Sequence, residues 1–242
     1  MISGIEAVFF DLDDTLWEVG PVIERAEQRI YEHLAAHFPR ITQALDITAV
    51  RNFRNEAYAA RPDLEHNLTA SRQLAFEKLL VDFDYDPANA LALTGIFLDY
   101  RNRVALYPDV MPALAGLRSM FKLVVVTNGN ADIARVGIDE MFAAQVRAEE
   151  AGCKKPARRI FQLACDAVGV VPASVVHVGD HPVDDVQGAI EAGIRSIWVN
   201  RRGQHWRETY QPDAEVSDLT CLLYTSDAAD DTPCVDLGGR RI

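Results

Sequence analysis

The spacing of apolar and polar positions changes style along the chain. From Asp109 onward, short apolar runs alternate with stretches of helical period. Lys122–Thr127 (KLVVVT), Ser174–Val178 and Ser196–Val199 read as strands, and Gln145–Arg147 as a shorter one. Asp109–Met120, Pro156–Val168 and Val183–Ala192 read as helices, and Ala131–Phe142 as mostly helical. Pro156 suits a first helical turn, and Gly193 suits a left-handed stop. Near the start, Ile5–Phe10 is apolar except for Glu6, which predicts a strand covered on both faces. Strands alternating with helices in this way imply an α/β protein with a parallel sheet.

Between Trp17 and Val104 the strand pattern disappears. Ile23, Ala26, Ile30, Leu34 and Phe38 form one helical stripe after Pro21. Val50, Phe53, Ala57 and Ala60 form a second, and Ala75, Leu79 and Phe83 a third. A fourth helix follows Pro87, and breaks fall at Phe38-Pro39, Arg61-Pro62 and Asp86-Pro87. The predicted division is therefore a core domain of residues 1–17 and 105–220 with an all-helical insertion at 18–104. Residues 221–242 show neither period and read as a non-native or disordered tail.

Composition narrows the classes of function. A chain of 242 residues with 49% apolar content can bury a full core. The formal charge of −12 argues against nucleic acid or an anionic membrane as partner. No window approaches a membrane span and the start lacks a basic flank, so a cytoplasmic protein is expected. Cys153, Cys165, Cys221 and Cys234 form no C-x-x-C pair, which argues against a disulfide scaffold or a zinc knuckle.

The first strand ends in Asp11 and Asp13, followed by Asp14 and Thr15. Ligands bind at the carboxyl ends of strands in open parallel sheets. Two acids one residue apart repel each other there unless a cation or hydrogen-bond donors compensate. A bound divalent metal, with one carboxylate kept for chemistry, is the economical explanation.

Three further segments accompany this one in order: KLVVVT followed by Asn128, Gly129 and Asn130; Lys155-Pro156 opening a helix; and VVHVGDHPVDD, with Gly179, Asp180, Asp184 and Asp185. Together the four segments resemble the motifs of the haloacid dehalogenase superfamily, over roughly the first 200 residues. The resemblance implies a Rossmann-like parallel-sheet core with a mobile helical cap inserted after the first strand. It implies Asp11 as a nucleophile that forms an aspartyl-phosphate, and Asp13 as the acid and then the base. Thr127 and the backbone of Asn128 and Gly129 would bind phosphoryl oxygens, and Lys155 would balance charge, with Lys154 its rival. Mg²⁺ would be held by Asp11, Asp13 and Asp180 with the Leu12 carbonyl, and Asp184 or Asp185, preferably Asp185, would complete the shell.

The implied activity is Mg²⁺-dependent hydrolysis of a small phosphate ester by a monomer or homodimer. The finer likeness is to a bacterial branch acting on flavin mononucleotide and phosphorylated ribitylaminouracil. Phosphoglycolate or nucleoside monophosphate hydrolysis is the alternative. A metal-free dehalogenase, whose motif lacks the second Asp, and a non-catalytic binding module are weaker readings. Trp17, Tyr58 and Tyr100 are candidates for stacking on a leaving group, His181 for the site rim, and His177 for a buried structural donor.

Overall fold

A computed structural model describes residues 4–222 of the chain. They divide into two units. One comprises the chain up to Glu18, Ala105–Gly129 and the chain from Gly137 onward; the other comprises Val19–Val104 and Asn130–Val136.

The helical unit consists chiefly of α1 (Val19–His37), α2 (Pro39–Ala44), α3 (Ile47–Ala59), α4 (Leu68–Asp82) and α5 (Ala90–Arg101). Helix starts are set by side chains that satisfy orphan N–H groups. Asp46 accepts from the Ala49 N–H at 2.8 Å, and Asn67 accepts from the Ala70 N–H at 2.9 Å. The apolar stripes meet in one core of Ala26, Ile30, Leu34, Leu79, Leu80, Leu93 and Phe97. Each large member contributes about 1.5–3 kcal/mol by leaving water. The returning segment is tied in by Asp132 N–H, which donates to Asn102 Oδ1 at 2.8 Å.

The α/β unit is a six-stranded, all-parallel sheet. Its strands are β1 (Ala7–Phe10), β2 (Lys122–Thr127), β3 (Ala144–Arg147), β4 (Val175–Gly179), β5 (Arg195–Val199) and β6 (Ala214–Val216). The order is β3-β2-β1-β4-β5-β6, which places β1 between β2 and β4, where the direction of winding reverses. Such a switch point leaves a crevice at the strands' carboxyl ends. All four residues of β1 are buried, as a central strand requires. On one face Phe9, Val124 and Val126 pack with Ile160, Phe161, Ala164 and Cys165 of the helix Arg158–Val168.

Several elements differ from expectation. Ala131–Phe142 is broken at Gly137, whose φ of +85° ends the helix Ile133–Val136. Val183–Ala192 opens not as an α-helix but as a wider π turn over Pro182–Gln187, continuing as α-helix only from Gly188. Strand β6 was not legible, because three residues are too few to show a period. The stretch beginning at Cys221 is corrected at its first two residues: Cys221 and Leu222 are buried in a 3₁₀ turn over Leu219–Leu222. The Leu219 N–H donates to Asp109 Oδ2 at 2.8 Å, and the same oxygen accepts from Arg201 at 2.8 Å. Residues 223–242 lie outside the described residues. Among the described residues, no helix is long and apolar enough to cross a membrane.

This burial sets an expected stability difference. A chain ending after Thr220 should be less stable than one ending after Leu222 by about 2 kcal/mol, the value of a buried leucine side chain. Coincident urea midpoints for the two would show that the turn contributes nothing to the core.

Candidate active site

The carboxyl ends of β1, β2 and β4 bring the acidic motifs together. Asp11 follows β1 directly, and its N–H donates to Val178 O at 2.9 Å, continuing the ladder past the strand. Beyond it, Asp14 takes the left-handed region (φ 58°), which Asp tolerates better than most residues. Its N–H donates to Trp17 O at 2.7 Å, closing a tight turn. Trp17 is corrected from stacking candidate to internal support: it is fully buried, and its indole N–H donates to Asp13 Oδ1 at 2.9 Å.

Lys155 lies at the centre of the cluster. Its Nζ is 2.6 Å from Asp11 Oδ1 and 2.6 Å from Asp185 Oδ1, with the side chain only 1% exposed. The loop that delivers it is held by Asn128. Asn128 Oδ1 accepts from the Lys155 N–H at 2.7 Å, and Asn128 Nδ2 donates to Lys155 O at 3.0 Å and to Asp184 Oδ2 at 3.2 Å. Thr127 is buried at the end of β2, and its Oγ1 accepts from the Gly129 N–H at 3.0 Å.

Asp184 and Asp185, consecutive on the π turn, point in different directions. Asp185 is buried: Oδ1 takes both Lys155 and His177 Nε2 (2.8 Å), and Oδ2 accepts from the His181 N–H at 2.9 Å. Asp184 remains partly exposed. His181, expected at the rim, caps the turn, its Nδ1 accepting from the Asp184 N–H at 3.0 Å. His177, read from sequence as a buried structural donor, bonds Asp185, and Asn128, read as a phosphoryl-binding backbone, adds a side chain that holds the Lys155 loop. A buried polar residue one position before the end of a core strand was the available signal for His177.

Asp180 receives Thr15 Oγ1 at 3.4 Å, and its backbone carbonyl accepts from the Trp198 indole at 2.8 Å. Ligand atoms of Asp11, Asp180 and Asp185 lie within 4.8 Å of one another. The Asp13 carboxylate is not in that group. A cleft lined by Asp11, Asp13, Thr127, Asn128, Gly129, Lys155, Asp180 and Asp184 opens onto them.

Three carboxylates around one ammonium leave negative charge in excess. Burial, followed by Asp185 and Asp14, pushes the Asp180 carboxyl up to about 7. Burial raises Asp11 well above the carboxylate range, only partly offset by Lys155 and reinforced by Asp185, Asp180 and Asp13. Burial would also raise Asp185, but Lys155 and His177 outweigh it and hold that group low. For Lys155 burial opposes the charge, yet Asp11 and Asp185 together raise its pKa. Burial lowers His177, so the neutral ring donates through Nε2. An all-oxygen donor set with uncompensated charge fits a hard divalent cation.

Gly179 lets Asp185 approach. A Cβ there would meet Asp185 Cγ at 2.2 Å, far inside contact distance. Gly179→Ala should displace Asp185 and lower unfolding stability by about 1–3 kcal/mol, as overpacking does. An unchanged denaturation curve would show that the carboxylate can withdraw at no cost.

Comparison with known proteins agrees with this arrangement. Residues 5–193 match the model of the haloacid dehalogenase-like hydrolase family. The 5-amino-6-(5-phospho-D-ribitylamino)uracil phosphatase YigB of Escherichia coli (strain K12) is 29% identical over 229 residues, covering 91% of this chain and 96% of that protein. The glyceraldehyde 3-phosphate phosphatase of Methanopyrus kandleri is 31% identical, covering 89% and 92%. A crystal structure of a 2-haloacid dehalogenase from Pseudomonas syringae pv. Tomato DC3000 has a TM-score of 0.83 at 37% identity, covering 89% and 95%. With its acids gathered at the switch point and the family model spanning most of its length, the chain belongs to the haloacid dehalogenase-like hydrolases.

Proposed function

We propose that this protein is a Mg²⁺-dependent phosphomonoester hydrolase that acts through an aspartyl-phosphate on Asp11. The observation that carries the reading is the cluster of Asp11, Asp180 and Asp185 within 4.8 Å, beside the Thr127–Gly129 loop. Asp11, Asp180 and Asp185 would hold the cation, which supplies charge neutralisation at the phosphoryl oxygens. Asp11 attacks phosphorus in line, and Asp13, steadied by the Trp17 indole, gives a proton to the departing oxygen. The Thr127 hydroxyl and the N–H groups of Asn128 and Gly129 receive the phosphoryl oxygens. Lys155 stays charged throughout, fixing Asp11 and offsetting the charge that accumulates. Asp13 then takes a proton from the water that cleaves the acyl-phosphate.

The substrate we propose is a small phosphorylated metabolite of the riboflavin route, flavin mononucleotide or 5-amino-6-(5-phospho-D-ribitylamino)uracil. The 29% identity to the Escherichia coli enzyme, spread over 91% of the chain, supports it. A second reading rests on the 37% identical structure named a 2-haloacid dehalogenase. There the same aspartate would attack carbon, and the acids gathered around Asp180 would have no cation to hold. The cation-ready cluster favours phosphorus.

Asp11→Asn should abolish phosphate release while the protein stays folded, because an amide of equal size is not a nucleophile. Asp13→Asn should lose at least about 10²-fold in kcat, the usual scale of proton-transfer assistance. Turnover by Asp11→Asn in enzyme shown by mass spectrometry to be free of deamidation would overturn the mechanism. Chloride release from 2-chloropropionate would identify the dehalogenase.

Cation removal provides a second test, with its sign set by linkage. Asp180, and Asp11 in the same sense, hold protons in the folded state that the unfolded chain has already released above pH 4. Folding therefore takes up protons between pH 4 and about 7, and metal-free protein should lose stability as pH rises through that window. Mg²⁺ should raise Tm more at pH 7.5 than at pH 5.5 and restore activity lost to chelator, and Asp180→Asn should flatten the difference. Equal Mg²⁺ shifts at both pH values, or full activity in excess chelator, would contradict the assignment.

A further inference from the structure

The helical unit contains a buried cation with no counter-charge. Arg72, on α4, is 8% exposed, yet among the described residues its guanidinium makes no hydrogen bond or ion pair. Its polar neighbours do not relieve it. Glu27 is the buried carboxylate nearby, and it is already engaged by Arg51, at 2.6 Å, and by Arg54. What Arg72 has is aromatic: its Cζ stands 3.3 Å from the centre of the Phe97 ring and 6.0 Å from that of Tyr58. A cation–π contact is worth about 0.5–2 kcal/mol, whereas a charge taken out of water costs several.

The unsatisfied groups around it share one chemistry. Arg54 Nε, Arg72 Nε and Tyr58 Oη are all buried without a partner, and all can donate. Arg54 Cζ lies 5.7 Å from the Tyr58 ring centre, so the phenol stands between two guanidiniums. Burial, with Arg54 and Arg101 beside it, pushes Arg72 down to about 9, as an uncompensated cation must be. Arg51, Arg54 and Arg72 line one cleft with the single carboxylate Glu27, walled by Ile30, Phe53, Phe76 and Leu79. Orphan donors and surplus positive charge, in a chain of net charge −12, call for an acceptor-rich anion.

We propose that the helical unit holds an oxyanion site headed by Arg72, with Arg54 and Tyr58 beside it, for the carboxylate or phosphate group of a small ligand. Guanidinium groups suit planar carboxylates and phosphates through paired N–H donors. Thr69, one turn before Arg72 on α4, has a hydroxyl 3.2 Å from the Asn130 side-chain amide. A second anionic group on a substrate is one source of the oxyanion and a separate anion is the other. The substrate source rests on the phosphatase reading and requires a substrate with a second anionic group, unlike flavin mononucleotide or the ribitylaminouracil phosphate; the site itself rests on neither.

Binding is tested first on metal-free protein in chelator, where the acidic site repels anions. Sulfate should raise the Tm of the full chain more than chloride at equal ionic strength. Arg72→Met should lose that increment, and Tyr58→Phe, which removes one hydroxyl, should reduce it. No sulfate increment in the wild type, or a full one in Arg72→Met, would overturn the proposal. Activity then separates the sources, using O-phosphoserine and phosphoethanolamine, which differ by one carboxylate. A wild-type preference of about tenfold in kcat/KM for phosphoserine, abolished in Arg72→Met through KM, assigns the oxyanion to the substrate. A sulfate increment without that preference assigns it to a separate anion. Hydrolysis of p-nitrophenyl phosphate by the wild type reports on the phosphatase reading independently.

Discussion

The buried Lys155 ammonium is the interaction on which the α/β unit's chemistry depends. It joins Asp11, at the end of β1, to Asp185, beyond the end of β4, so one charge ties together two neighbouring strands. Without it, carboxylates gathered in a dry crevice would repel one another and take up protons. With it, Asp185 stays ionised, and Asp11 is fixed in place beside a cation. A buried pair of this kind is poor evidence for stability, since taking the charges out of water can cost more than their attraction returns. Its value is positional.

Supporting groups explain why the arrangement tolerates little change. Gly179 leaves room for Asp185, and the His181 N–H and His177 occupy the remaining positions around that carboxylate. Asn128 grips the Lys155 backbone from both sides while standing next to the loop that would receive a phosphoryl group. On the π turn Asp185 is buried and Asp184 partly exposed, and both reach the cleft. Such turns recur at functional sites because an extra residue re-aims a side chain.

The helical unit shows the opposite electrostatic state. The α/β unit concentrates carboxylates around a single lysine, whereas α3 and α4 bring Arg51, Arg54 and Arg72 to a cleft with a single buried glutamate. Each leaves a charge of one sign in surplus, and each surplus suits a ligand of the other sign. The overall charge of −12 describes neither.

Much of this was legible in the chain itself. Apolar runs located β1, β2, β4 and β5, helical stripes located the all-α insertion, and the order of the four motifs placed Asp11, Thr127, Lys155 and Asp180 at element ends. Those signals are local, repeated over several residues and set by backbone periodicity. The inward turn of Asp185, the burial of Trp17 against Asp13, the packing of Cys221 and Leu222, and the lack of a partner for Arg72 were not legible. Each depends on which distant groups meet, and a residue's spacing carries no record of its neighbours across the fold. Periodicity by itself determined the elements and their order; only tertiary structure decided which charges are compensated, because compensation is a property of pairs far apart in sequence.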